Sequence, residues 1–229
     1  MQFTEKLEVD IAQVCRALGC GDCPPDDETG RRISHAARSV TRAAIPRWVS
    51  ARFELARDGG LRLAGSETPL PGRDIAAHLD GCGGCLLIGV TIGAGVDGLI
   101  RAAEAADIAD AVLADAAASV LAEQYADFAQ EVLAREAAPG SFLTGRFSPG
   151  YGDFPIEFQR ELVRLTDAPR AIGLTANESS ILIPRKSVTA LLGIAGHPVT
   201  GRLAGCESCA LREGCDRFER GLSCAKPDA

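Results

Sequence analysis

Apolar residues at Leu7, Ile11, Val14 and Leu18 recur at helical spacing and predict an amphipathic helix over residues 5–23. Gly19, Gly21 and the break Pro24-Pro25-Asp26-Asp27 end it. A second helix is predicted from about 27 to 40, with Asp26 or Asp27 as N-cap. Weak alternation follows, with a strand around 47–55, and Asp58-Gly59-Gly60 is a turn between two strand-like runs, which predicts a hairpin. Residues 73–79 read as a short helix. The run CLLIGVTI at 85–92 is continuously apolar and branched, the pattern of a strand buried on both faces. Residues 96–136 are alanine-rich and acidic with no proline, and no glycine follows Gly98; they predict helix, divided into two near Asp107. A glycine-rich loop spans 138–152, a helix with Pro155 in its first turn spans 155–165, and a short strand is predicted at 171–174. The run SSILIPRKSVTALLG at 179–193 is a second apolar strand interrupted by Pro184. Helices and strands mix without regular alternation, so the predicted class is α+β.

Composition bounds the function. The 229 residues make one medium domain or two small ones, and 46% hydrophobic with 24% charged residues is the balance of a folded globular chain. A net charge of −7 argues against a non-specific nucleic-acid binder. No apolar run is long enough for a membrane helix, and MQFTEKLEVD at the start has neither the basic nor the apolar part of a secretory signal. The expected location is the cytoplasm. Nine cysteines, an odd number without an export signal, argue against a disulfide scaffold and leave packing, metal-ligand or redox roles. The excess of alanine and of arginine over lysine reads as a coding-composition bias. His35, His78 and His197 are scattered, and none is assigned a catalytic role.

Three motifs carry candidate chemistry. Gly93-Ala94-Gly95-Val96-Asp97-Gly98 fits G-x-G-x-x-G between a strand and a helix, the place where a dinucleotide pyrophosphate would sit. The second strand with its terminal acidic residue, expected about 20 residues on, is replaced by helix. A tight turn needing small residues is the competing reading. The loop Gly145-Arg146-Phe147-Ser148-Pro149-Gly150-Tyr151-Gly152-Asp153 combines a shaped backbone with a guanidinium fork for a carboxylate or phosphate and an aromatic face. On composition alone a structural turn fits it equally well. Cys206, Cys209, Cys215 and Cys224 form C-x2-C-x5-C-x8-C, four thiols that could hold zinc or an iron–sulfur cluster, against a loosely ordered tail with reduced thiols. Cys82-x2-Cys85 reads as packing first and a redox pair second.

With the RFSPGYGD loop in view, the chain resembles the reactivation (S-adenosylmethionine-binding) domain of cobalamin-dependent methionine synthase, above all its stand-alone form. Leu18-Gly19 with the acidic, proline-containing break resembles that family's first helix end, and Thr91-Ile92-Gly93 resembles its T-L-G turn. Leu113-Ala114-Asp115, Ser119 and Glu123 resemble its L-x-D-x3-S-x3-E helix. Arg146 to Asp153 resembles R-F-S-P-G-Y-G-D, and Asn177-Glu178-Ser179 with Pro184-Arg185-Lys186-Ser187-Val188 resembles its T-E-S and P-x-x-S-V elements. Phe147 stands where the fused domain has proline.

The resemblance implies a twisted antiparallel sheet flanked by helices, in a reactivation-like domain over 1–204 followed by a cysteine-rich tail over 205–229. It implies an S-adenosylmethionine site drawn from Glu123, Arg146, Phe147, Ser148, Pro149, Gly150, Tyr151 and Glu178. There Arg146 meets the carboxylate, Glu123 the amino group or ribose hydroxyls, and Tyr151 the methionine end or the cobalt side. The implied task is repair within the methionine synthase (methyltransferase) system. Inactive cob(II)alamin is reduced by an electron donor such as a flavodoxin or ferredoxin and methylated by S-adenosylmethionine. The chain has no D-x-H-x-x-G signature, so the cobalamin is expected on a separate partner, methionine synthase or another corrinoid protein. A corrinoid-protein interaction or redox module, with a metal or iron–sulfur tail and no methyl transfer of its own, is the alternative.

Overall fold

The computed structural model describes residues 3, 5–20, 25–66, 68–199, 201, 213 and 214. The four C-terminal candidate metal ligands, Cys206, Cys209, Cys215 and Cys224, lie outside the described residues. By their contacts the residues gather into two compact units. Of the described residues, those within 1–50, 88–136 and 160–189 form the first, and those within 51–87, 137–159 and 190–214 the second.

In the first unit the organising element is α5 (Ile108–Glu136), on which α1 (Ile11–Ala17), α2 (Asp27–Ala43) and α4 (Ala94–Ala106) all pack. The alanines of α5 have a structural use, whatever their coding origin. Ala111, Ala114, Ala117, Ala118, Ala122, Ala126 and Ala129 are all buried. A methyl side chain lets neighbouring helix backbones approach closely while keeping the best helix propensity. Leu121 and Tyr125 supply the bulk of this face and are fully buried. The break near Asp107 is confirmed. Asp107 is the extended residue between α4 and α5, and its Oδ1 accepts the Ala109 N–H at 2.8 Å. Arg32 of α2 reaches Asp107 and Asp110 at 2.6 and 2.7 Å across this junction.

Asp26 is the N-cap of α2, as the sequence predicts, accepting the Thr29 N–H at 2.7 Å. The first helix is shorter than the predicted 5–23. Ahead of it the chain runs along α5, whose side chains take over its backbone: the Leu7 N–H donates to the Tyr125 hydroxyl, the Asp10 N–H to Gln124 Oε1, and Gln124 Nε2 donates to Glu8 O. Those contacts satisfy groups that would otherwise need helix.

The main sheet has the order β2-β1-β3-β7-β4, with β1 at Arg47–Ala56, β2 at Arg62–Leu63, β3 at Gly84–Thr91, β4 at Phe142–Leu143 and β7 at Ser187–Ala195. The predicted hairpin at Asp58-Gly59-Gly60 is β1–β2, with Leu55 opposite Leu63. β3 is central and almost wholly buried, which accounts for its unbroken apolar run. Its neighbours run antiparallel to it. On one side Ile45 bonds Ile92 and Leu55 bonds Gly83; on the other Ile92 bonds Lys186 and Gly83 bonds Ile194. The second unit adds α3 (Arg73–His78).

Two expectations change. Residues 171–174 are not a strand. Pro169 near the start of a helix and left-handed Gly173 at its end make α7 (Ala168–Ile172), which follows α6 (Phe158–Leu165). Nor is 179–193 one interrupted strand. Its first part, β6 (Leu182–Ile183), pairs with β5 (Thr175–Ala176) in a separate ribbon, and only the part after Pro184 joins the main sheet as β7. Leu182 of that ribbon seals a small core with Val163, Ala168, Ile172 and Leu174.

Candidate functional site

The arginine loop grows from the sheet edge in the second unit. β4 pairs in strict antiparallel register with β7, Phe142 opposite Ala195 and Leu143 opposite Ile194, and the register continues where the Thr144 N–H donates to Gly193 O. It then slips by one: Phe147 exchanges both backbone bonds with Leu191. Gly145 and Arg146 together therefore oppose Leu192 alone. That is a β-bulge, a device that turns a side chain out of the regular alternation. Arg146, half-buried, is one of the two bulged residues. Beyond it the Tyr151 N–H closes a turn on Ser148 O at 3.1 Å, with Gly150 at φ 92 and Gly152 at φ 54.

The loop rests on aromatic and polar supports. Phe147 is only 4% exposed, its ring 4.8 Å from His78 and 5.8 Å from Tyr151, so it packs beneath the loop. Tyr151 is 43% exposed and presents its ring to solvent. His78 is itself buried, with Nε2 3.1 Å from Gly145 O and 2.9 Å from Thr144 Oγ1. Thr144 Oγ1 in turn accepts the Gly193 N–H at 2.8 Å. At the other end, Asp153 caps α3. Its carboxylate accepts the Asp74 and Arg73 N–H groups, each at 2.9 Å, and these two bonds hold its pKa below the ordinary carboxylate value. Asp74 returns the contact by accepting the Asp153 N–H at 3.1 Å. Asp74, His78 and Thr144 carried no motif in the sequence. Their partners lie far off in the chain: Asp74 and Asp153 are 79 positions apart, His78 and Gly145 67, and His78 and Thr144 66.

In the first unit the other motif segments converge. Lys186, 12% exposed, pairs with Asp115 Oδ1 at 2.8 Å and donates to Ser119 Oγ at 2.8 Å. Ser187 Oγ lies 2.9 Å from Thr91 Oγ1, whose oxygen accepts the Gly93 N–H. Asp115 and Ser119 are thereby engaged with the P-R-K-S-V segment. Glu123 is exposed on the same helix, and Glu178 is exposed in the turn between β5 and β6, where Asn177 Oδ1 accepts the Ile181 N–H.

The G-x-G-x-x-G segment has a packing explanation. Gly93 caps α4, and a Cβ at Gly95 or Gly93 would stand 2.9 Å from Ala43 O or 3.2 Å from Ile45 O. Asp97 sits in the first turn and accepts the Arg185 N–H at 2.9 Å, putting a carboxylate where a dinucleotide would need an anion-receptive helix end. The hollow beside it, lined by Asp97, Ile100, Arg101, Arg185 and Lys186, is about 40 Å³, the scale of a water molecule.

Cys82 and Cys85 are both buried free thiols. Burial pushes Cys82 up and Cys85 to about 12, so neither supplies thiolate at neutral pH. This fits packing. Alkylation of the folded protein at pH 8 should leave both unmodified by mass spectrometry on the timescale that labels them in denaturant; rapid native labelling would contradict it. Among the described residues no group of histidine, cysteine, aspartate and glutamate side chains is arranged to hold a metal ion, and no helix is long and apolar enough to cross a membrane.

No family model and no curated protein matches this chain. Among solved structures it is similar to the crystal structure of the MetH reactivation domain bound to AdoHcy, with a TM-score of 0.57 and 17% identity over 95% of this chain and 86% of that one. The α+β arrangement described above, an antiparallel sheet flanked by helices, is the fold of the MetH reactivation domain.

Proposed function

We propose that this chain binds S-adenosylmethionine and supports reductive remethylation of cob(II)alamin held on a separate corrinoid protein, methionine synthase before others. The observation that carries the reading is the fold. It matches, over nearly the whole chain, a domain whose crystal structure holds AdoHcy, which is S-adenosylmethionine after loss of its methyl group. The arginine loop supports the same reading, because its residues suit the ligand. A guanidinium set in a bulge suits the carboxylate, and the exposed ring of Tyr151 suits the methionine end. The turn at Ser148, Pro149 and Gly150 offers backbone for close approach. Glu123, the acidic group that the resemblance assigns to the amino group or ribose hydroxyls, is exposed, and so is Glu178. Phe147 takes a supporting part, with its ring under the loop. Bound S-adenosylmethionine supplies the methyl group, and the electron comes from a flavodoxin or ferredoxin acting on the partner.

Calorimetric titration of the wild-type protein with S-adenosylmethionine and with S-adenosylhomocysteine is the test. Saturable binding of both is expected, together with retention of a cobalamin-binding protein in a pull-down. No binding of either ligand, with or without that corrinoid partner, overturns the proposal.

A further inference from the structure

We propose that α3 is a clamp for the arginine loop, and that Asp74 and His78 are positioning residues for Arg146 and Tyr151. The inference rests on reading that loop as the ligand site. Between Thr144 and Asp153 the chain contains Gly145, Gly150 and Gly152, and glycines leave a backbone many conformations to lose. One six-residue helix restrains both ends. Its last residue, His78, sets Nε2 against Gly145 O at 3.1 Å, directly before Arg146, and lays its ring 4.8 Å from Phe147, directly after it. Its first turn meets the far end, where Asp153 accepts the Arg73 and Asp74 N–H groups and Asp74 accepts the Asp153 N–H.

The fit is close enough to constrain the neighbours. A Cβ on Gly152 would collide with the Asp74 carboxylate, and one on Gly72 would lie 2.8 Å from Asp153 Oδ1. Each carboxylate is met by backbone N–H donors of the other segment, and these bonds exist only while the loop holds this shape. A surface turn with no geometric duty has no need of such an arrangement. Pre-ordering the loop lowers the entropy lost when a ligand binds.

Asp74→Ala, Asp74→Asn and Asp153→Ala test the far anchor, and His78→Gln, which keeps a donor for Gly145 O, tests the near one. Hydrogen exchange of the amides in 146–152, the thermal midpoint and S-adenosylhomocysteine affinity are measured on each. Asp74→Ala and Asp153→Ala should raise local exchange about tenfold with a near-native midpoint, since local opening is separable from global unfolding. Affinity should fall about tenfold, while Asp74→Asn and His78→Gln, which preserve the bonding partner, stay within about threefold of wild type. Native exchange and affinity in folded Asp74→Ala or Asp153→Ala overturn the clamp. If one of these does not fold, the other removes the same anchor. If wild type binds no S-adenosylhomocysteine, the reading of the site fails, and the exchange measurements still decide the clamp.

Discussion

Arg146→Ala should weaken S-adenosylmethionine binding by on the order of a hundredfold while leaving the unliganded protein folded. A charge-assisted, two-pronged contact from guanidinium to carboxylate is worth on the order of 2–3 kcal/mol, and every 1.4 kcal/mol is about tenfold in affinity. The folded state is spared because Arg146 is one of the two bulged residues at the sheet edge, and the backbone bonds of Phe147 with Leu191 do not depend on its side chain. Arg146→Lys separates charge from shape. It keeps the positive charge and loses the planar fork, so about tenfold of the loss should remain. Tyr151→Phe removes only a hydroxyl and should change little if the ring face is what the ligand meets. Calorimetry on the four proteins decides. Binding by Arg146→Ala within about threefold of wild type would remove the arginine from the site.

The fold was legible where its causes are local. Helix periodicity, the Asp26 cap, the hairpin at Asp58-Gly59-Gly60 and the break at Asp107 all rest on residues a few positions apart. The buried strand was legible because β3 lies between β1 and β7, and a strand covered on both faces needs no polar alternation. What stayed hidden depends on distant partners. Residues 5–10 carry the start of a helical pattern, yet Tyr125 and Gln124 bind their backbone in another form. Residues 179–193 read as one apolar strand because both parts are rich in branched residues, although the parts before and after Pro184 serve different sheets.

The candidate site divides the same way. Glycines, proline, arginine and tyrosine within nine residues marked the loop. The bulge that carries Arg146 exists only relative to Leu191 and Gly193, more than 40 positions later, and no local signal records it. Asp74 looks like any acidic residue in the first turn of a helix, and His78 like any buried histidine. Their bearing on the loop comes from contacts made after folding. Conversely, Asp115 and Ser119 stood out by their spacing with Glu123, yet their side chains meet Lys186. Four-residue spacing shows that side chains share a helix face and does not say what meets that face.

Gly193→Ala is the substitution expected to join stability to the site most directly. Glycine is unfavourable inside a buried strand unless something approaches closely, and here three side chains do. A Cβ on Gly193 would stand 2.5 Å from Cys82 Sγ and 3.0 Å from both Leu79 Cδ2 and Thr144 Cγ2. Overpacking of this kind costs about 1–3 kcal/mol. In a chain of this length each kcal/mol lowers the thermal midpoint by about 2–4 °C, so a fall of roughly 2–12 °C is expected. The displaced side chain matters as much as the energy. Thr144 Oγ1 accepts the Gly193 N–H and lies 2.9 Å from both His78 Nε2 and Gly145 O, so a shift there moves the backbone just before Arg146. Ligand affinity should fall along with stability. Cys82→Ala removes the sulfur that stands nearest and opens room for the new methyl group. Alone it should cost about 1 kcal/mol as a small cavity, and combined with Gly193→Ala it should recover much of the lost midpoint. A double-mutant cycle by thermal and denaturant unfolding should then show coupling of about 1–2 kcal/mol, the behaviour of residues in contact. Strict additivity, or a Gly193→Ala protein as stable as wild type, would mean that the strand yields there and that the glycine is not what seats Thr144 beneath the loop.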